Sequence, residues 1–244
     1  MGTTRRPGAR PAPTLRVERR LLGEGHRAVA CIDECGRGAL AGPASVGVVV
    51  VDVTTARMPA GLRDSKLLSA SARRDLVPRI ERWAVASAVG HAEAAEVDEV
   101  GINAALRLAA TRALEALVPE VDVVLLDGTY DWLSAPTQPA LFDPRVPAAV
   151  AVPVVTEVKG DLRCAGVAAA SVLAKVARDA VMEEVAASHP GYGLERNKGY
   201  ASPDHIAALR RLGASHIHRR SWRLPGIGEL VDAQPASDPG PASG

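Results

Sequence analysis

Two short apolar runs, Ala28–Asp33 and Ala44–Val53, stand on either side of a Gly/Pro-bearing segment, and they constrain the fold more than anything else in the chain. The first breaks at Cys35-Gly36-Arg37-Gly38. The second is valine-rich and reads as a strand buried on both faces. Strands this close, with a glycine turn between them, read as an antiparallel pair. Aromatic residues are only 3% of the chain, so the core has to be assembled from Ala, Val, Leu and Ile. The spacing predicts further strands at Val85–Ala92, Val121–Leu126 and Val150–Thr156. It predicts helices at Ser71–Trp83 (capped by Ser69, with Pro78 a possible kink), Gly101–Leu117 and Cys164–Ser188, and one N-capped by Ser202 with Pro203 in its first turn and ending near Gly213. Residues 129–148 hold four prolines and read as a loop. The order implies an α/β fold: a mixed sheet flanked by helices, with a helical C-terminal part.

Several classes are excluded. The longest uncharged stretch, Gly38–Val51, has 14 residues, short of the roughly 20 a membrane helix needs. The first twenty residues hold six arginines and no apolar core of a signal peptide. Three cysteines, Cys31, Cys35 and Cys164, cannot frame a disulfide scaffold and suit a reducing cytoplasm. Residues 1–14 and 233–244 read as disordered tails around one domain over 15–232, whose segment 189–224 is set apart for substrate binding.

Acidic residues recur where strands end. Asp33 and Glu34 close the first strand, Asp127 closes Val121–Leu126, and Asp161 follows the fifth. Strand ends border the ligand crevice of α/β sheets. Carboxylates gathered there repel one another unless a cation neutralises them, and an all-oxygen set suits Mg²⁺ or Mn²⁺. Two such ions about 4 Å apart clamp a phosphodiester. Taken singly, an Asp at a strand end is usually a turn or cap residue. Adjacent Asp33 and Glu34 also point to opposite faces of a regular strand and share a site only if the strand ends or bulges there.

Two further features suggest a nucleic-acid ligand. Gly36, Arg37 and Gly38 bring backbone N–H groups and a guanidinium close to that strand end. Only four of the 29 basic residues are lysines (Lys66, Lys159, Lys175 and Lys198), and a point charge retained in an arginine-rich chain suits phosphate contact. The net charge is +1, yet residues 191–223 carry seven basic residues against two acidic, with Tyr192, Tyr200 and Trp222 interleaved. An alternative is a zinc site built from Cys31, Cys35 and one of His205, His216 and His218, which lacks a second cysteine pair.

The segments Cys31–Pro43, Asp64-Ser65-Lys66, Leu126-Asp127-Gly128, Lys159-Gly160-Asp161, Ala168–Asp179 and Tyr192–Tyr200 occur in one order over about 28–223. In that order they resemble ribonuclease HII, the bacterial type 2 ribonuclease H. The resemblance implies a ribonuclease H-like fold, cleavage of RNA in RNA/DNA hybrids, and nicking of DNA on the 5′ side of embedded ribonucleotides, leaving 3′-OH and 5′-phosphate ends. It implies a two-ion Mg²⁺ or Mn²⁺ site on Asp33, Glu34, Asp127 and Asp161. It also implies that Gly36, Arg37 and Gly38 read the ribose 2′-OH, and that a tyrosine, best matched by Tyr200 rather than Tyr192, packs on the sugar 3′ of the scissile ribonucleotide. Lys66 and Lys198 are expected on phosphates. The protein is expected to be a cytoplasmic monomer, with no membrane or protein partner inferred. A non-catalytic hybrid binder on the same fold is the remaining alternative.

Overall fold

The computed structural model describes residues 11–118, 120–134, 148 and 150–227. Most of the expected tails and most of the 129–148 loop lie outside the described residues.

The two apolar runs pair as expected. β1 (Ala28–Cys35) and β2 (Ala44–Asp52) are antiparallel, from Ala28 opposite Asp52 to Cys35 opposite Ser45. β1 therefore runs two residues past its expected end at Asp33, because β2 supplies partners as far as Ser45. β3 (Ala86–Ala92) extends β2 antiparallel, while β4 (Val123–Asp127) and β5 (Val154–Glu157) add on in parallel. The sheet order is β3-β2-β1-β4-β5, the mixed sheet anticipated. β5 starts at Val154 rather than Val150, directly after Pro153, whose carbonyl accepts from Val124 N but which has no N–H to give.

The helices are α1 (Arg16–Gly23), α2 (Ala70–Trp83), α3 (Ala94–Val100), α4 (Ile102–Glu115), α5 (Gly160–Arg163), α6 (Ala165–Ser188), α7 (Leu194–Asn197) and α8 (Pro203–Leu212). Ser69 and Ser202 accept from Ala72 N and His205 N, so both expected N-caps form. Pro78 sits inside α2 without ending it. Four helices lie where the sequence pattern assigns none, the one-turn α5 and α7 among them. The Arg-rich α1 is anchored by a tertiary contact, Gly166 N donating to the buried Glu18 at 2.7 Å. α3 is set by a capping box between Glu93 and Glu96.

α6, with α1 and α2, covers the sheet face of Val29, Cys31, Val49, Val51, Val123 and Leu125. α4 covers the face of Ala30, Ile32, Val46, Val48, Val124 and Leu126, joined by Trp132 and Leu133. Both helices lie very close to the sheet. A Cβ on Gly47 would stand 2.2 Å from the Ala170 carbonyl oxygen, and one on Gly90 2.0 Å from that of Ala109. Alanine-rich helices and glycines in strands are therefore one adaptation, and a core poor in aromatics follows from it. A third cluster, with Leu40, Met182, Tyr192, Leu194 and Leu209, seats the C-terminal part against the sheet domain.

Candidate active site

Strand alternation decides which carboxylates meet. Cys31 lies on the α6 face of β1 and Ile32 on the α4 face, so Asp33 continues the first and Glu34 the second. On β4 the same alternation sends Asp127 to the α6 face, with Leu125. The parallel register pairs Ile32 with Leu126, which leaves Asp33 and Asp127 beside each other where the strands end. β5 then turns into α5, where Asp161 N donates to Asp127 Oδ1 at 3.3 Å. Asp33, Asp127 and Asp161 each offer an oxygen within 4.8 Å of the others. Glu34 is outside this trio. Its Oε1 instead accepts from Arg37 Nε at 2.8 Å, because β1 neither stops nor bulges at residue 33.

The trio is electrostatically uncomfortable. Asp33 is buried, and burial first, then the charges of Glu34 and Asp127, push its carboxyl well above the usual range; a hydrogen bond from Ser171 works the other way. Burial and Asp161 likewise raise Asp127. Lys66 Nζ is 3.2 Å from Asp161 Oδ2. Burial works against the Lys66 charge, but Asp161, Asp64 and Asp33 outweigh it and raise its pKa. One mostly exposed ammonium does not neutralise three carboxylates. An all-oxygen, net-negative set of this kind has the donor chemistry of a hard divalent cation.

Of the trio, Asp33 lines a cleft of about 400 Å³, together with Glu34, Arg37, Lys66, Lys175 and Tyr200. Gly36 and Gly38 line it for different reasons. Gly36 has φ +88° and is packed so closely that a Cβ would fall 2.2 Å from Arg178 Nε, whereas a Cβ on Gly38 would meet nothing within 4 Å. Arg37 is braced by Glu34 and by Asn103 Oδ1 at 2.9 Å. Below the loop lie two buried arginines. Arg178 donates to the carbonyls of Pro43, Lys198 and Ala41, and stacks 5.2 Å from the Tyr200 ring. Arg219 donates to the carbonyls of Gly36, Arg37 and Gly42. Sequence reasoning missed both roles, because Arg178 stands beside Asp179 and one turn from Lys175 in α6, and nothing local sets it apart from them.

Other expected residues are more dispersed. Lys198 is not part of the cleft lining. It has a left-handed backbone (φ +51°) and bonds Glu183 at 2.9 Å. Lys175 pairs with Asp179, and Lys159 serves as the left-handed N-cap of α5. Tyr192 is buried in the C-terminal core with its hydroxyl donating to the Gly213 carbonyl, which leaves Tyr200 as the tyrosine at the cleft. The alternative zinc set does not assemble. Among the described residues the only cluster of metal-ligand type is the Asp trio, and His205 and His218 bond each other.

Comparison with known proteins bears on this geometry. The ribonuclease HII family model matches residues 30–224. Ribonuclease HII of Streptomyces avermitilis is 44% identical over 211 residues, covering 86% of this chain and 83% of its own. Among solved structures, ribonuclease H2 of Pyrococcus horikoshii OT3 superposes with a TM-score of 0.60 at 26% identity, over 81% of this chain and 95% of that one. Ribonuclease HII of Archaeoglobus fulgidus, solved in complex with PCNA, has a TM-score of 0.57 at 24% identity, covering 80% and 93%; at that identity the likeness is one of fold. With the sheet, the order of segments and the matched span in agreement, the chain belongs to the ribonuclease HII family, a family of endonucleolytic ribonucleases H.

Proposed function

We propose that this protein cuts the RNA strand of RNA/DNA hybrids and nicks duplex DNA on the 5′ side of an embedded ribonucleotide, leaving 3′-OH and 5′-phosphate ends. The observation that carries the reading is the convergence of Asp33, Asp127 and Asp161 within 4.8 Å, beside a cleft shared by the Gly36–Gly38 loop and Tyr200. The three aspartates would hold Mg²⁺ or Mn²⁺, with Glu34 contributing from the rim. Bound divalent ions supply Lewis-acid stabilisation of the phosphoryl oxygens and an acidified water nucleophile.

The remaining roles belong to the chain itself. Glu34 and Asn103 hold the Arg37 guanidinium at the cleft, where it and the open backbone of Gly38 face the ribose 2′-OH. Tyr200, stacked on Arg178, packs against the sugar 3′ of the scissile ribonucleotide. Lys66, which pairs with Asp161 at the edge of the trio, would reach a phosphate of the bound duplex. A second groove, sharing Lys175 with the cleft and lined by Arg73, Arg74, Arg196 and Lys198, follows the duplex backbone, so affinity falls with salt. The enzyme acts as a monomer in the cytoplasm. No helix among the described residues is long and apolar enough to cross a membrane, and the PCNA complex of the Archaeoglobus protein is not extended to this chain.

The test is a duplex carrying one ribonucleotide, incubated with Mg²⁺ or Mn²⁺ and native protein or Asp33→Asn. A metal-dependent nick 5′ of the ribonucleotide, absent with the variant, is expected. Hybrid binding without any nick would favour the non-catalytic alternative.

A further inference from the structure

His205 and His218 take no part in the chemistry above, yet both are almost completely buried and their Nε2 atoms lie 3.1 Å apart. The proton order of the pair follows from its neighbours. The backbone N–H of Ser215 points at His218 Nδ1 from 3.1 Å. An amide N–H only donates, so His218 Nδ1 is bare and its proton sits on Nε2. That proton makes His205 Nε2 an acceptor, which leaves the His205 proton on Nδ1. There it faces the Tyr200 carbonyl oxygen, which only accepts, at 2.9 Å. One tautomer of each ring satisfies every contact from Ser215 to Tyr200.

The chain of hydrogen bonds connects the two halves of the substrate cleft. The Tyr200 carbonyl also accepts from Ser202 N. The preceding residue, Gly199, receives Leu40 N and Ala41 N on its carbonyl. His218 bridges Ala41, and the next residue, Arg219, holds the carbonyls of Gly36, Arg37 and Gly42. The charged and aromatic groups facing the pair are His189, Arg220 and the Tyr192 ring. Together with burial, the first two oppose a positive charge on His218. A second proton would set two Nε2–H donors against each other. Two imidazoles in an apolar cluster cost more desolvation than two aliphatic side chains, so their presence calls for a role that packing alone does not fill.

We propose that His205 and His218 form a positioning pair that fixes the Tyr200 ring relative to the Gly36–Gly38 loop, and so sets how strongly the enzyme prefers an RNA–DNA junction over continuous hybrid. This rests on the reading of Tyr200 as the sugar-facing residue. The pair acts through Tyr200 and touches no reacting atom.

The experiment compares kcat and KM on a single-ribonucleotide duplex and on a continuous RNA/DNA hybrid, for native protein, His205→Asn, His205→Gln, Tyr200→Ala and the His205→Gln/Tyr200→Ala double variant. Asn places its amide near the position of Nδ1 and keeps the donor to Tyr200; Gln reaches toward Nε2 and loses it. His205→Gln is expected to lower kcat/KM on the junction substrate about tenfold, chiefly through KM, the scale of one lost hydrogen bond. It should leave the continuous hybrid nearly unchanged. His205→Asn should retain most of the preference, and the double variant should match Tyr200→Ala alone. Equal losses on both substrates for His205→Gln, with Tyr200→Ala still shifting the ratio, would reduce the pair to a structural role. An unchanged ratio for Tyr200→Ala would overturn the Tyr200 reading itself. If the histidine variants do not fold, ¹⁵N chemical shifts of the native imidazoles decide: protons on His218 Nε2 and His205 Nδ1 are required, and the opposite tautomers refute the pair's ordering of Tyr200.

Discussion

Replacing Glu18 with Gln isolates the cost of a carboxyl that the fold buries outside the Asp trio. Glu18 is fully buried. Oε1 accepts from Gly166 N at 2.7 Å near the start of α6, and Oε2 has no hydrogen-bond partner among the described residues. Burial dominates and lifts the pKa from 4.5 to about 7, against the opposing pull of backbone donors at Gly166, Glu18 and Ala165. The folded state therefore holds a proton that the unfolded chain releases above pH 4.5. Stability is full below that pH and declines as pH rises to about 7, by about 3 kcal/mol in all. His218, lowered from 6.5 to about 4 by burial and then by His205, slopes the other way, losing stability as pH falls from 6.5 toward 4. The two partly cancel in the native curve, so the difference between native protein and Glu18→Gln is the quantity to measure. Urea unfolding at pH 5 and pH 8.5 should show the variant gaining about 2–3 kcal/mol on the native protein over that interval. The reasoning is refuted if the difference is independent of pH, or if the variant is the less stable at pH 8.5. The first result would mean that an ionised Glu18 at the α6 N-terminus gains as much as its burial costs, and the second that it gains more.

The glycines of the Gly-Arg-Gly loop should separate by calorimetry and activity. Gly36→Ala is expected to lose about 2–3 kcal/mol, because its φ is +88° and its Cβ meets Arg178 and the Pro43 carbonyl. Gly38→Ala should melt within about 0.5 kcal/mol of native and lose nicking activity. Arg219→Leu should cost about 3 kcal/mol or more in thermal denaturation, since three carbonyls lose their donor; a neutral effect would contradict the carbonyl-clamp assignment. Asp33→Asn should raise Tm in EDTA, because it removes a buried like-charge contact, while abolishing nicking; a lowered Tm would count against the repulsion described.

Much of this was readable from the chain. Apolar runs located all five strands, and Ser69 and Ser202 marked helix starts through local side-chain chemistry. What local pattern could not supply was register. Asp33 and Glu34 look equivalent in sequence, and only the continuation of β1 to Cys35, opposite Ser45, separates them onto two faces. Asp127 joins Asp33 because Ile32 pairs with Leu126, a relation set by tertiary packing. α1 escaped notice because its arginines resemble a tail, while its anchor, Gly166, is 148 positions away. The His205–His218 contact also escaped notice, although the two residues are only 13 positions apart. α8 and the turn after it bring the two rings together, and neither residue's neighbours announce it. The scarce lysines divided: Lys66 and Lys175 line the cleft, whereas Lys198 is held by Glu183.

The central claim is that Asp33, Asp127 and Asp161 hold the divalent ion on which cleavage depends. Its most direct test is a Mn²⁺ titration followed by electron paramagnetic resonance, which reports free ion, on native protein and on Asp33→Asn and Asp127→Asn. The account predicts saturable binding to the native protein that either substitution removes or weakens by more than tenfold. Binding of Mn²⁺ that is unchanged in both variants would contradict it.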